Sequence, residues 1–245
     1  MSARSTTEVR QQASETGGRT LEIFSNTPRL NEWLFSKLAS GVRGEVLEGG
    51  SGIGSMSRLI RARASHLVVT DTEPHYLRDL EAAFAGDENV VVSPYDLDGP
   101  PPPAVAGRVY DAIVMINVIE HIADDRALVA RLAAMLRPGG QLLVYVPACP
   151  FAFGSLDVAL GHHRRYTPDG LSALMRSANL DPGAPRYLNL LGLAGWCFWG
   201  RLLDREALSP HTVGLFERLV PLVRLEDRFE LPIGLGLYTH ATKPG

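Results

Sequence analysis

The stretch Val46-Leu47-Glu48-Gly49-Gly50-Ser51-Gly52-Ile53-Gly54-Ser55-Met56-Ser57 constrains this chain more than any other. Val46 and Leu47 read as a short buried strand, and the glycines that follow demand a tight turn. Met56, Leu59 and Ile60 then recur at helical spacing. Strand, glycine turn and helix together are the entry to a doubly wound α/β sheet, whose ligands sit outside the carboxyl ends of the strands. A dinucleotide fingerprint of the G-x-G-x-x-G kind would need glycine at the position of Ser55. Glu48 at the strand end also disfavours a phosphate, because a carboxylate repels an anion. It suits a ligand carrying ammonium or sulfonium charge.

The segments that follow repeat the alternation. His66 to Asp71 is an apolar strand ending in an acid, which in such a sheet lies beside the glycine turn and can accept hydrogen bonds from a ribose diol. Thr72 stands next to it, and either Asp71 or Thr72 could instead cap the next helix. Asn89 to Ser93 is a third strand, and the prolines at 100–103 make a surface linker. Tyr110 to Ile116 is a buried strand that runs into the polar edge Asn117 to His121. Asp124 to Leu136 is helical, Arg137-Pro138-Gly139-Gly140 breaks it, and Gln141 to Pro147 is a fifth strand.

These motifs resemble those of the class I S-adenosylmethionine (SAM) dependent methyltransferases. Glu48-x-Gly50-x-Gly52-x-Gly54 matches their first motif, Asp71-Thr72-Glu73-Pro74 is similar to their D-x-S-P with Glu73 in place of serine, and the block from Tyr110 to Pro147 looks like their fourth to sixth motifs. The resemblance implies a seven-stranded Rossmann-like sheet with SAM as cofactor and S-adenosylhomocysteine as product. It assigns cofactor binding to Glu48, Gly50, Gly52, Gly54, Asp71 and Thr72. Asp96 and Leu97 would lie by the adenine, and Asn117 by the methionine part. It also implies a sixth strand near 184–188 and a seventh near 233–242. Residues 1–43 are then expected as an N-terminal helical lid, with two short helices joined at Pro28, and residues 44–245 as the methyltransferase domain.

Two loops carry the candidate chemistry on the acceptor side. Glu120-His121 follows the fourth strand, and His121 is either a base or part of a turn-capping pair. The loop Gly161-His162-His163-Arg164-Arg165-Tyr166-Thr167 follows the fifth strand and opens on the ligand side. Histidine suits proton removal near neutral pH, so His162 is the first candidate base, with His121 and His163 behind it. A polar clasp, with Asp157 pairing an arginine, is the competing role for this loop. The string resembles a narrower branch of these enzymes often found beside sugar-transferring enzymes. The apolar helical insertion at about 190–229 would pack on the domain, wall a hydrophobic substrate pocket or form a homodimer face. Trp33, Tyr166, Trp196 and Trp199 are the expected acceptor contacts.

Composition narrows the partners. A net charge of −3 without a basic block offers no footprint for nucleic acid. Two cysteines supply neither a C-x-x-C metal site nor a disulfide framework, so no metal is expected. The polar N-terminus lacks the apolar core of a signal peptide and no run is long enough to span a membrane, so a cytoplasmic location is expected. The expected activity is methyl transfer to an O, N or C atom of a small, hydrophobic molecule. A lipid- or glycan-linked acceptor, or a SAM-binding partner protein without catalysis, is the alternative.

Overall fold

A computed structural model describes residues 27–202 and 209–245 of the chain. Its centre is a mixed sheet of eight strands: β1 (Glu45–Gly49), β2 (His66–Asp71), β3 (Val90–Pro94), β4 (Tyr110–Ile116), β5 (Leu136–Pro147), β6 (Asp181–Pro182), β7 (Arg186–Leu188) and β8 (Gly236–Thr242). The order is β3-β2-β1-β4-β5-β8-β6, with β7 also paired to β8. β1 to β5 run parallel, and β8 inserts antiparallel beside β5. The doubly wound architecture expected from the glycine turn is therefore present. Strand order reverses on either side of β1, which opens a crevice at the ends of β1, β2 and β4.

Alternation along the strands builds two cores. Leu47, Val68, Ile113, Met115, Leu142 and Val144 point to one face. There they meet Leu128, Val129 and Leu132 of α4 (Asp125–Met135) and Leu171, Leu174 and Met175 of α6 (Pro168–Ser177). Val46, Val69, Ala112, Val114, Leu143 and Tyr145 point to the other. Their partners include α1 (Pro28–Ser36), Ile60 of α2 (Ser55–Arg61), Leu80 of α3 (Pro74–Ala83) and Val220 of α8 (Pro210–Val223). Coverage on both faces explains why the strands are near-continuous apolar runs. Helix starts follow local chemistry: Asp124 caps α4 by accepting the Ala127 amide, and Thr167 caps α6 by accepting that of Gly170.

Three expectations change. β5 begins at Leu136, because Leu136 pairs with Tyr110 before a register shift, so the proline–glycine stretch bends the strand instead of preceding it. The expected sixth strand shortens to β7, and a further pairing, β6, precedes it; Gly183 still donates to His240 of β8, so the break between the two is Ala184–Pro185. Of the N-terminal segment, the first expected helix lies outside the described residues. The second, α1, packs its Trp33, Leu34 and Phe35 into the core beside the sheet. The insertion forms α7 (Leu190–Trp196), a wider-wound turn at Cys197–Leu202, α8, and a short turn at Arg224–Arg228. Among the described residues no helix is long and apolar enough to cross a membrane.

Candidate active site

The glycine turn is braced from within. Glu48 is buried at the end of β1, and its Oε2 accepts hydrogen bonds from the hydroxyls of Ser57 (2.5 Å) and Ser51 (3.0 Å). Thr70 on the neighbouring strand donates to the Glu48 carbonyl and accepts the Ser51 amide on its own carbonyl. Gly50 and Gly54 adopt left-handed backbone angles, φ 65° and 78°. A Cβ at Gly50 would lie 2.7 Å from Val118, and one at Gly54 would lie 2.8 Å from Leu80. Side chains at either position would push the turn off its neighbours.

Asp71 ends β2 beside this turn. Its Oδ2 accepts the Gly52 amide at 2.8 Å, and its Oδ1 accepts the amides of Thr72 and Glu73. A carboxylate has about four acceptor sites, so one of them at Oδ2 is left unused by these contacts. The Asp71 carbonyl holds the Tyr95 amide, which brings the following segment alongside. Leu97 is buried toward Gly49 and Met115, while Asp96 is exposed and accepts the Asp98 amide. Glu48, Gly50, Gly52, Gly54, Asp71, Thr72 and Leu97 thus gather at one place. Glu48 faces the two serines of its own turn, so its direct role is to shape that turn.

Burial raises the Glu48 carboxyl from its ordinary 4.5 to about 7, against the pull of the Ser57 and Ser51 hydroxyls. The folded protein therefore holds a proton that the unfolded chain releases between pH 4.5 and 7, and stability falls as pH rises through that window. Glu120, raised to about 8 by its own burial, acts in the same direction. Glu48→Gln should reduce the loss of stability between pH 5 and 7, measured as Tm or urea midpoint against pH. Glu120 still contributes a loss, and His121, lowered to about 4 by desolvation, opposes it below pH 6.5.

The second half of the site lies at the end of β4. Asn117 sits at positive φ (52°), exposed, with its amide on the Tyr145 carbonyl. Val118 presses on Gly50, so the turn Ile119–His121 stands at the lip of the glycine turn. Glu120 is fully buried, and no other residue donates a hydrogen bond to either of its carboxylate oxygens. His121 and His162 meet edge to face with ring centroids 4.8 Å apart.

The loop after β5 holds His162 in place. Asp157, in α5 (Ser155–Leu160), is fully buried and serves as its hub. Its carboxylate accepts His162 Nδ1 at 2.9 Å, Arg165 Nε at 2.8 Å, Trp196 Nε1 at 3.2 Å and the Gly154 amide at 3.0 Å. Burial alone would raise this carboxyl, but the His162 and Arg165 contacts outweigh it and hold it below the usual range. Arg165 also donates to the Ala148 carbonyl and lies over the Trp196 ring. Arg164 pairs with Asp125 at 2.7 Å, and the Tyr166 hydroxyl donates to the same carboxylate. The clasp expected for this loop is therefore real, with Asp157 as the arginine's partner. With Nδ1 committed to Asp157, His162 presents Nε2 toward Glu120, at 4.0 Å from Oε1.

Other candidates fall elsewhere. His163 is exposed, and its backbone amide bonds the Glu120 carbonyl. Trp33 is fully buried with its indole N–H on Asp227, so it packs α1 to the Arg224–Arg228 turn and lines no open wall. Trp196 and Tyr166 are buried by their bonds to Asp157 and Asp125, which makes them supports of the loop. Trp199 is partly exposed and stacks edge-on against Phe198. Glu120 stands out as a site residue only in the folded protein. The adjacent Glu-His pair was its signal, but its burial could not be read from spacing.

Comparison with known proteins bears on the family and the fold. A family model described as a methyltransferase domain matches residues 19–182, more than half of the chain. A ubiquinone biosynthesis O-methyltransferase of Parvibaculum lavamentivorans is 32% identical over 118 residues, 44% of this chain and 45% of that protein. A demethylmenaquinone methyltransferase of Tropheryma whipplei is 26% identical over 144 residues, 59% of this chain and 56% of that protein. The chain thus spans about half the length of the curated relatives it matches. The solved DhpI–SAH complex shares the fold, with a TM-score of 0.59 at 17% identity over 99% of both chains. On the strength of the family match, the chain belongs to the methyltransferase-domain family.

Proposed function

We propose that this protein transfers a methyl group from SAM to a hydroxyl oxygen of a small, largely apolar molecule. The observation that carries the reading is the contact of Val118 with Gly50. It sets the corner of Glu120, His121 and His162 at the edge of the turn that would hold the cofactor.

The residues present fit that cofactor. Asp71 keeps an acceptor site at Oδ2, as a ribose hydroxyl requires, and Leu97 offers an apolar surface next to Gly49. SAM, when bound, supplies an electrophilic methyl on a sulfonium. The chain's own part is to hold the acceptor in line and dry, an arrangement worth roughly 7–11 kcal/mol. The acceptor loses its hydroxyl proton at the Glu120–His121–His162 corner.

Oxygen as the acceptor atom is supported by the name of the Parvibaculum relative, and the small-molecule class by both relatives. An apolar acceptor is supported by the exposed Phe151 and Val158, on elements that follow β5 on the ligand side. The test is incubation of the full chain with methyl-labelled SAM and a panel of hydroxylated aromatic and lipid-like acceptors. Label should move to an organic-extractable product. Label that stays in SAM across the panel, with cofactor binding confirmed by calorimetry, would mean a binding protein and overturn the reading.

A further inference from the structure

The unanswered group in this fold is Glu120. Its side chain has no exposed surface, and apart from a weak approach of its own backbone amide neither carboxylate oxygen has a hydrogen-bond donor. Burying a carboxylate with no partner is costly, and natural structures seldom leave one so. The nearby guanidiniums are engaged: Arg165 on Asp157 and the Ala148 carbonyl, Arg164 on Asp125 and the Ala123 carbonyl. What faces Glu120 instead is a pair of imidazoles. Ligand atoms of Glu120, His121 and His162 all lie within 4.8 Å of one another. His162 Nε2 stands 4.0 Å from Glu120 Oε1, too far for a hydrogen bond. Ligands bound at about 2.0–2.2 Å to one ion stand somewhat closer than this, so modest side-chain rotation would close the set.

The surroundings add an independent sign. His162 gives its Nδ1 to the buried Asp157, which leaves Nε2 as the acceptor nitrogen and fixes the ring. Metal-ligating histidines almost always have such a carboxylate or carbonyl behind them. Asp157 is itself pinned by Arg165, Trp196 and the Gly154 amide, so the ring is aimed by a rigid support. His121 is exposed and marks the side from which an ion and a further ligand can enter.

We propose that Glu120, His121 and His162 form a site for one divalent transition-metal ion, with open positions toward the acceptor. Two imidazoles and one carboxylate suit zinc, manganese or iron(II) better than magnesium or calcium, which favour oxygen shells. The site deepens the methyl-transfer reading, on which only the identity of the further ligand rests: that ligand is the oxygen of the acceptor. His162 Nε2 is then a ligand, and the ion takes over the task of making the hydroxyl acidic. The composition-based expectation of no metal considered cysteines, and this set contains none.

The experiment is zinc and manganese titration of the tag-free, chelator-treated full chain, by calorimetry for Zn²⁺ and by electron paramagnetic resonance for Mn²⁺. Neither SAM nor acceptor is added. One ion per chain should bind, with Mg²⁺ competing poorly. Glu120→Gln should weaken binding at least 10-fold without lowering Tm, since it replaces an unpartnered acid by a neutral isostere. His121→Ala, at an exposed position, should weaken binding as well and covers the case in which the Glu120 variant fails to fold. No binding by the wild type, or binding unchanged in His121→Ala, would overturn the site. Metal binding without methyl transfer would overturn the function while leaving the site, and methyl transfer without metal binding the reverse.

Discussion

His162→Ala should lower kcat by about 10²–10⁴-fold, the range associated with a group that handles the acceptor's proton. SAM affinity should not change, because the side-chain partners of His162 are Asp157, Glu120 and His121, none of them in the glycine turn or at Asp71. The fold should also survive. Asp157 keeps Arg165, Trp196 and the Gly154 amide, so losing the imidazole leaves no unpaired charge at the hub. The effect is expected whether Nε2 is a base or a metal ligand, and a second measurement separates them. A base gives a loss of rate with metal affinity intact, whereas a ligand gives parallel losses of both. An unchanged kcat would clear His162 altogether and leave His121, its edge-to-face neighbour, as the group that meets the acceptor.

The fold was legible because its constraints are local. Only glycine tolerates the left-handed turn at Gly50 and Gly54 pressed against Val118 and Leu80, and apolar runs buried on both faces announce parallel strands. Family resemblance implied a last strand near 233–242, but its antiparallel place beside β5 came only with the structure, since no local pattern encodes which edge a last strand joins. Boundaries failed where pairing decides them, as at Leu136, whose partner Tyr110 is distant in sequence.

Site residues were legible in proportion to how local their partners are. Asp71 accepts amides from its next two residues and from the glycine turn 19 positions away, and its strand-end place was readable. Trp196 was assigned to a pocket because a tryptophan in an apolar helix suggests a wall. Its indole instead reaches Asp157, 39 residues earlier, and that bond cannot be read from helical spacing. Trp33 is the same case, reaching Asp227 across 194 residues. Glu120 is harder still, because what distinguishes it is the absence of any other residue's donor in a buried place. No residue pattern encodes an absence.

Asp71→Ala should weaken SAM binding by roughly 10- to 100-fold, since hydrogen bonds to a charged group contribute about 1.5–3 kcal/mol. Part of that loss would be indirect. The carboxylate also accepts the Gly52, Thr72 and Glu73 amides, so alanine frees three backbone donors and loosens the turn along with the ribose site. Asp71→Asn separates the two contributions. The amide keeps the shape and one carbonyl oxygen, but its NH₂ cannot accept, so either the Thr72 and Glu73 amides or the Gly52 amide and the diol together lose their acceptor. Calorimetry with S-adenosylhomocysteine should therefore show Asp71→Asn weakened about 10-fold and Asp71→Ala more, near the upper end of the range. Thermal melts without ligand measure the bracing of the turn alone, and alanine should melt lower than asparagine. If both variants bind like the wild type, the ribose lies elsewhere and Asp71 only ties β2 to the glycine turn. If affinity falls in step with Tm across the two variants, bracing accounts for the loss. Affinity that falls further than Tm places the acid on the diol itself.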